Sequence, residues 1–236
     1  MSDAAAIHLL FDLAAWAAGL IAGFLVYRWR LTEVVARTAA RTTPGYFVAL
    51  AAGGLLGAFL LGTLNLHLSA HTGVGRSILG ALFGAIVAIE GYKLKKGIRF
   101  STGGIFVVPF CVGVMVGRLG CLASGLDDFT YGIPTGAAWG WDFGDGVMRH
   151  PVQLYEAVAM AAFLIVYLIL LARRSPLAVQ RGFYLCAGWY AAQRFLWEFL
   201  KPYGGAIGPL NTFHIVSILI MLYSLIMIGT HRHADA

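Results

Sequence analysis

Charge is scarce in this sequence. Asp, Glu, Lys and Arg make up 12% of its 236 residues, against about 25% in a soluble globular domain. Acids are scarcer than bases, 11 against 17. A water-soluble enzyme of this size is excluded on that ground. Cysteine is nearly missing as well. Cys111, Cys121 and Cys186 all fall inside apolar stretches, which gives neither the even count of a disulfide framework nor the polar spacing of a zinc site. They read as small core residues. There is no Gly-rich Walker loop, no H-E-x-x-H, no paired-cysteine metal motif and no solenoid-type period. No metal or soluble cofactor is expected.

Hydrophobic residues fill the place of the missing charge, at 59% of the chain with a mean hydropathy of +0.77. They gather in stretches of about 20 residues, the length that crosses a hydrocarbon core of about 30 Å. Seven such stretches run Ile7 to Tyr27, Gly45 to Leu66, Ile78 to Tyr92, Gly104 to Ser124, Val152 to Ala172, Gly182 to Leu200 and Thr212 to Gly229. The pattern predicts an all-α polytopic membrane protein, with residues 1–236 forming one transmembrane helical domain. The first stretch has no small-residue cleavage site and runs into Arg28-Trp29-Arg30, so it reads as a retained helix rather than a removed signal peptide.

The distribution of the net charge of +6 separates membrane orientation from nucleic-acid binding. Arg28, Arg30, Arg37 and Arg41 lie in the first loop, Lys93, Lys95, Lys96 and Arg99 in the third, Arg173, Arg174 and Arg181 in the fifth, and Arg232 in the tail. The alternate loops hold only Arg76, Arg149 and Lys201. This bias predicts an N-terminus outside and a C-terminus in the cytoplasm, and no nucleic-acid partner. The longest outer loop, residues 125–149, carries Asp127, Asp128, Asp142 and Asp145 with Trp139 and Trp141. It is expected to rest at the membrane surface without regular structure.

Arg118 and Arg194 fall inside spanning stretches. Counted at 1.5 Å per residue, they lie about 21 Å and about 18 Å from the inner ends of their segments, in the outer half of the bilayer. An arginine at helix centre costs about 2.5 to 3.5 kcal/mol, so each needs a partner or a wet cavity. Two readings fit. Arg194 can pair with Glu198 one turn away while Arg118 snorkels, or the two can form a functional pair, since forked guanidinium donors recognise phosphate. Gly117 and Gly120 flank Arg118 and allow close approach. The fifth segment opens with Arg149, Gln153 and Glu156 at i, i+4 and i+7, a polar stripe on an apolar helix, with His150 and Pro151 at its start. The glycines Gly53, Gly54 and Gly57, with Gly80 and Gly84, read as close helix packing.

These residues fall into ordered blocks: Gly117-Arg118-Leu119-Gly120, Tyr131-Gly132-Ile133-Pro134-Thr135, Trp139-Gly140, Arg149-His150-Pro151-Val152-Gln153-Leu154-Tyr155-Glu156-Ala157, and Gln193-Arg194-Phe195 with Glu198-Phe199. Together they resemble the signature of the prolipoprotein diacylglyceryl transferases, from Gly75 to about Ser217. The resemblance implies a bacterial inner-membrane enzyme whose site faces the outer leaflet. Such an enzyme takes phosphatidylglycerol, transfers its diacylglyceryl group to the lipobox cysteine of a preprolipoprotein and releases glycerol phosphate. It implies Arg118 and Arg194 on the phosphate, Glu198 orienting Arg194, and Gly117, Cys121, Gly132, Arg149, Gln153, Tyr155 and Glu156 around the substrate.

The blocks also depart from the family pattern. The family's asparagine after Gly-Arg-x-Gly is Cys121, and its following Asn-Gly-Glu is the longer Ser124-Gly125-Leu126-Asp127-Asp128. Its His-Gly-Gly-Leu block reads Leu79-Gly80-Ala81-Leu82, so the family histidine falls on Leu79, which cannot accept a proton. Either His150 or a loop aspartate takes that part, or the acceptor is not a lipobox cysteine. A nonenzymatic protein that holds an anionic lipid is the third reading.

Overall fold

The computed structural model describes residues 3–230, so the Arg232 of the basic tail lies outside the described residues. Each of the seven apolar stretches is helical. Helix α1 (Asp3–Val26) passes through a π-helical turn at Tyr27–Leu31 into α2 (Thr32–Arg41). Then follow α3 (Pro44–Leu68), α4 (Ile78–Lys96), α5 (Val107–Ala123), α6 (Val152–Ala172), α7 (Pro176–Glu198) and α8 (Thr212–Thr230). Five helical spans are long and apolar enough to cross a membrane: Ala6–Arg41, Pro44–Leu68, Gly103–Ala123, Val152–Ala172 and Thr212–Thr230. Helices α4 and α7 are of similar length but carry more polar residues, among them Glu90 and Lys93, and Arg181 and Arg194.

Local chemistry sets the helix ends. Pro44 and Pro176 sit in first turns, where a missing N–H costs nothing. Ser77 caps α4 by accepting from the Gly80 N–H at 3.1 Å, and Gly97 ends the same helix in the left-handed region at φ +67°. Residues 125–149 are more ordered than an irregular loop. Gly125–Asp128 forms a 3-10 turn, and β1 (Trp141–Asp142) pairs antiparallel with β2 (Met148–Arg149). The ribbon closes because Asp142 Oδ1 accepts the N–H groups of Gly144, Asp145 and Gly146 at 2.8, 3.2 and 3.0 Å. That turn depends on one carboxylate and three backbone N–H groups, two of them from glycines, which hydrophobic periodicity does not register.

In the bundle α1 packs on α5, α3 on α4, α5 on α6, and α7 on α6 and α8. The α3–α4 seam is built on the glycines read as packing residues. A Cβ on Gly84 would lie 2.9 Å from the Gly57 Cα and run into the Gly53 carbonyl. The core between α4, α5, α6, α7 and α8 contains Leu79, Val107, Cys111, Met160, Tyr190 and Ile220. Leu79 is fully buried there. Leu20 and Phe24 of α1, Leu56 and Leu60 of α3, and Leu225 and Ile226 of α8 are exposed, the surface expected toward lipid.

Candidate active site

Four helix ends meet at one end of the bundle. The last turns of α5 bring Arg118, and the first turns of α6 bring Gln153 and Glu156. The last turns of α7 bring Gln193, Arg194 and Glu198, and the first turn of α8 follows Asn211. Arg118 and Arg194, both buried, converge here on the fully buried Glu156. Arg118 Nε lies 2.7 Å from Glu156 Oε2, and Arg194 Nη1 donates to Glu156 Oε1. Lys201, in the turn after α7, donates from Nζ to the same oxygen at 2.8 Å.

Glu198 is the second carboxylate. Arg194 Nη2 lies 2.5 Å from its Oε1, and Asn211 Nδ2 donates to its Oε2 at 3.0 Å. Asn211 is fixed in turn, because its Oδ1 caps α8 by accepting from Phe213 and His214 N–H at 2.9 and 3.0 Å. The Phe213 ring lies 5.5 Å from the Arg194 guanidinium, a cation–π contact.

Arg118, Glu156, Arg194, Glu198 and Lys201 are all at most 5% exposed. Three cations against two carboxylates leave one net positive charge in a medium of low polarity, where unbalanced charge is costly. Around them the carboxamides of Gln153 and Gln193 are buried with no hydrogen-bond partner among the described residues. Buried polar groups are ordinarily satisfied. A surplus positive charge beside unpartnered donors and acceptors is the arrangement that receives a polar anion. Lys201 titrates unusually: burial, and then the neighbouring Arg194, push its ammonium down to about 8.

Other expected site residues stand elsewhere. His150 Nδ1 lies 3.1 Å from the Tyr155 hydroxyl, which also accepts from Trp139 Nε1 at 2.8 Å. Arg149 is held by both oxygens of Asp145 at 2.6 and 2.7 Å and lies over Tyr131, and this fork lowers the Asp145 carboxyl below its ordinary range. Gly132 donates its N–H to the His150 carbonyl at 3.0 Å, and a Cβ there would lie 2.7 Å from the His150 Cβ. Gly132, Arg149, His150 and Tyr155 therefore build the polar segment over the cluster rather than the cluster itself.

Cys121 lies between two groups of residues. Its Sγ is 3.8 Å from Arg118 Nη1, and it shares a corner with His8 and Asp128, whose potential ligand atoms and its own all lie within 4.8 Å of one another. Those three residues have the donor types and spacing to share a cation. His8 Nε2 is 2.6 Å from Asp128 Oδ1. Gly117 has nothing within 4 Å of its Cβ position and lines a mainly apolar cavity of about 1050 Å³ between α1, α3, α4 and α5.

Sequence reasoning missed Lys201, Asn211 and the His8–Asp128 pair. The only available signal was Lys201 three residues after Glu198 and Asn211 at a helix start. Nothing in periodicity links residue 8 to residue 128.

Comparison with known proteins agrees with the motif reading. The family model described as prolipoprotein diacylglyceryl transferase matches residues 5–230. Proteins named phosphatidylglycerol–prolipoprotein diacylglyceryl transferase are similar to it. One from Methylococcus capsulatus is 35% identical over 133 residues, which cover 54% of this chain and 48% of that protein. Another, from Geobacter sulfurreducens, is 34% identical over 189 residues, or 74% and 71%. A third, from Mesorhizobium japonicum, is 33% identical over 170 residues, or 69% and 58%. In the first of these the match spans about half of the relative's length. No solved structure matches. With a family model aligned along nearly all of its described residues, and its two buried arginines meeting over one glutamate, the chain belongs to the prolipoprotein diacylglyceryl transferase family.

Proposed function

We propose that this protein transfers the diacylglyceryl group of phosphatidylglycerol to the cysteine thiol of a prolipoprotein and releases glycerol phosphate. The observation that carries this reading is the buried surplus of one positive charge on Arg118, Arg194 and Lys201. Arg118 spends Nε on Glu156 and turns Nη1 toward Cys121 Sγ at 3.8 Å, a weak contact that phosphate oxygens, the stronger acceptors, can displace. Arg194 is gripped by Glu156 and Glu198, so both guanidiniums are oriented before a ligand arrives. Glu156 and Glu198 act as positioning residues. Negative charge grows on the leaving phosphate as its bond to the glyceryl carbon breaks, and fixed cations in a dry site stabilise it most. The unpartnered Gln153 and Gln193 are suited to the head-group hydroxyls, and the apolar cavity beginning at Gly117 to the acyl chains.

In this reading residues 1–236 form one domain with seven crossings, the N-terminus outside and the C-terminus in the cytoplasm. Residues 125–149, with Gly132, Arg149, His150 and Tyr155, then cover the site at the outer leaflet of a bacterial inner membrane. Nucleic acid has no part in it.

The test uses the purified full chain with labelled phosphatidylglycerol and a lipobox peptide. Lipidated peptide and glycerol phosphate are expected. Arg118→Ala and Arg194→Ala should each lower the rate by about 100-fold or more, and wild-type rates in either variant overturn the phosphate role. Leu79, buried where the family has its histidine, favours a second reading with a different acceptor. Donor consumption with the peptide unmodified would support it, and binding without turnover would leave a lipid-holding protein.

A further inference from the structure

A thiol must lose its proton before it attacks carbon, and the basic groups of the cluster are already committed, Lys201 among them, whose Nζ donates to Glu156 Oε1 at 2.8 Å. Glu156 is engaged by three cations, and Glu198 holds Arg194 and Asn211. His214 Nδ1 accepts the Asn211 N–H, and its ring lies between Phe195 and Phe199. His150 is tied to Tyr155.

His8 is placed differently. Its Nε2 lies 2.6 Å from Asp128 Oδ1, and the other Asp128 oxygen accepts from Thr130 Oγ1. The imidazole is 23% exposed and the carboxylate 11%, so the ring is within reach of an incoming group while its carboxylate partner is shielded. The pair joins the start of α1 to the 3-10 turn after α5, two elements 120 residues apart in the chain. Cys121 Sγ touches the same corner and lies 3.8 Å from Arg118 Nη1, so the dyad and the phosphate-holding arginine flank one sulfur atom. The other charges facing His8 are Asp12 on its own helix and Arg76 before α4, 4.0 Å from each other.

We infer that His8, oriented by Asp128, is the base that takes the proton of the acceptor thiol, an inference that rests on the transferase reading above. With Nε2–H donated to Asp128, the lone pair is on Nδ1. Nδ1 takes the S–H proton, and the sulfur attacks the glyceryl carbon that bears the phosphate. The S–C bond forms as the C–O bond breaks, and the electron pair leaves on the oxygen of glycerol phosphate, facing Arg118 and Arg194. The departing phosphate then takes the proton from His8 and restores the neutral imidazole. Cys121 is not the nucleophile, because a thioether on it would have no route to a second transfer.

The test compares variants in the same full-chain assay. His8→Gln is expected to lower transfer about 100-fold or more near pH 7 while leaving phosphatidylglycerol binding unchanged. A peptide with selenocysteine in place of the acceptor cysteine is deprotonated without help, and should recover most of that loss. Asp128→Asn, which keeps the size of the side chain, should slow transfer less and move the acidic limb of the pH profile to lower pH; it also carries the test if His8→Gln fails to insert. Wild-type rate and pH profile in both variants overturn the inference, as does a loss the selenocysteine peptide does not recover. A wild-type loss in chelator that zinc restores would replace the base by a metal at His8, Cys121 and Asp128. If the wild type itself lipidates no peptide, the transferase reading fails first and takes this step with it.

Discussion

Glu156 is fully buried and faces three cations. That makes it both the main stabiliser of the cluster and the part that aims it. Glu156→Gln raises the charge of the group from +1 to +2 and leaves Arg118 without its carboxylate. Removing one partner of a buried pair costs about 3–5 kcal/mol, so the variant should melt at a clearly lower temperature in detergent. Anion binding should persist, because the charge has grown. The rate should fall by about 100-fold, because the Arg118 guanidinium is no longer held. A lower kcat with an unchanged or lower KM for the lipid is the expected pattern, and a rise in KM alone would make Glu156 a plain binding residue.

Lys201 gives the site a pH dependence whose sign follows from its position. Below about 8 the ammonium is charged and the cluster keeps its surplus. Above that the lysine is neutral, and three cations become two against two carboxylates. Affinity for an anionic lipid should therefore weaken as pH rises through about 8, and Lys201→Gln should be weak at all pH values with that step gone. A step of the same size in the variant would assign it to another group. None of this was legible in the sequence, where Lys201 counts as one of three outer-loop bases; its burial is set by the turn that folds Lys201 back under α7 and donates its backbone N–H to the Glu198 carbonyl.

At the scale of elements the helices were legible, because apolar stretches of spanning length leave few alternatives once backbone groups must be satisfied in lipid. The α3–α4 seam was legible too, from its glycines. The β1–β2 ribbon was not, since one aspartate side chain and backbone N–H groups build it. The seam makes a sharp prediction. A Cβ on Gly57 would be 2.9 Å from the Gly84 Cα and press on the Gly80 carbonyl, whereas Gly91 has nothing within 4 Å. Gly57→Val should force the helices apart and cost about 1–3 kcal/mol or more, while Gly91→Ala should be neutral or mildly stabilising. Thermal melting of the two purified variants measures the difference, and equal melting points would mean that the seam is loose.

At the scale of the whole molecule, charge and site occupy opposite ends. Arg28 and Arg30 lie on the π-helical turn after α1, Lys93, Lys95 and Lys96 in the last turn of α4, and Arg173 and Arg174 between α6 and α7. The cluster lies at the far end, where α5 finishes and α6 begins. If the basic end faces the cytoplasm, the arginines lie beneath the outer leaflet, and an acceptor exported through the membrane meets the lipid there. Orientation thus decides which leaflet supplies the donor. It can be measured by labelling, because Cys111 and Cys186 are buried. In a Cys121→Ser background, Asp145→Cys should react with a membrane-impermeant maleimide on intact cells. Arg173→Cys should react only after the membrane is permeabilised. The opposite pattern would turn the bundle over, put the two arginines under the inner leaflet, and remove the basis for a site that meets its acceptor outside the cell.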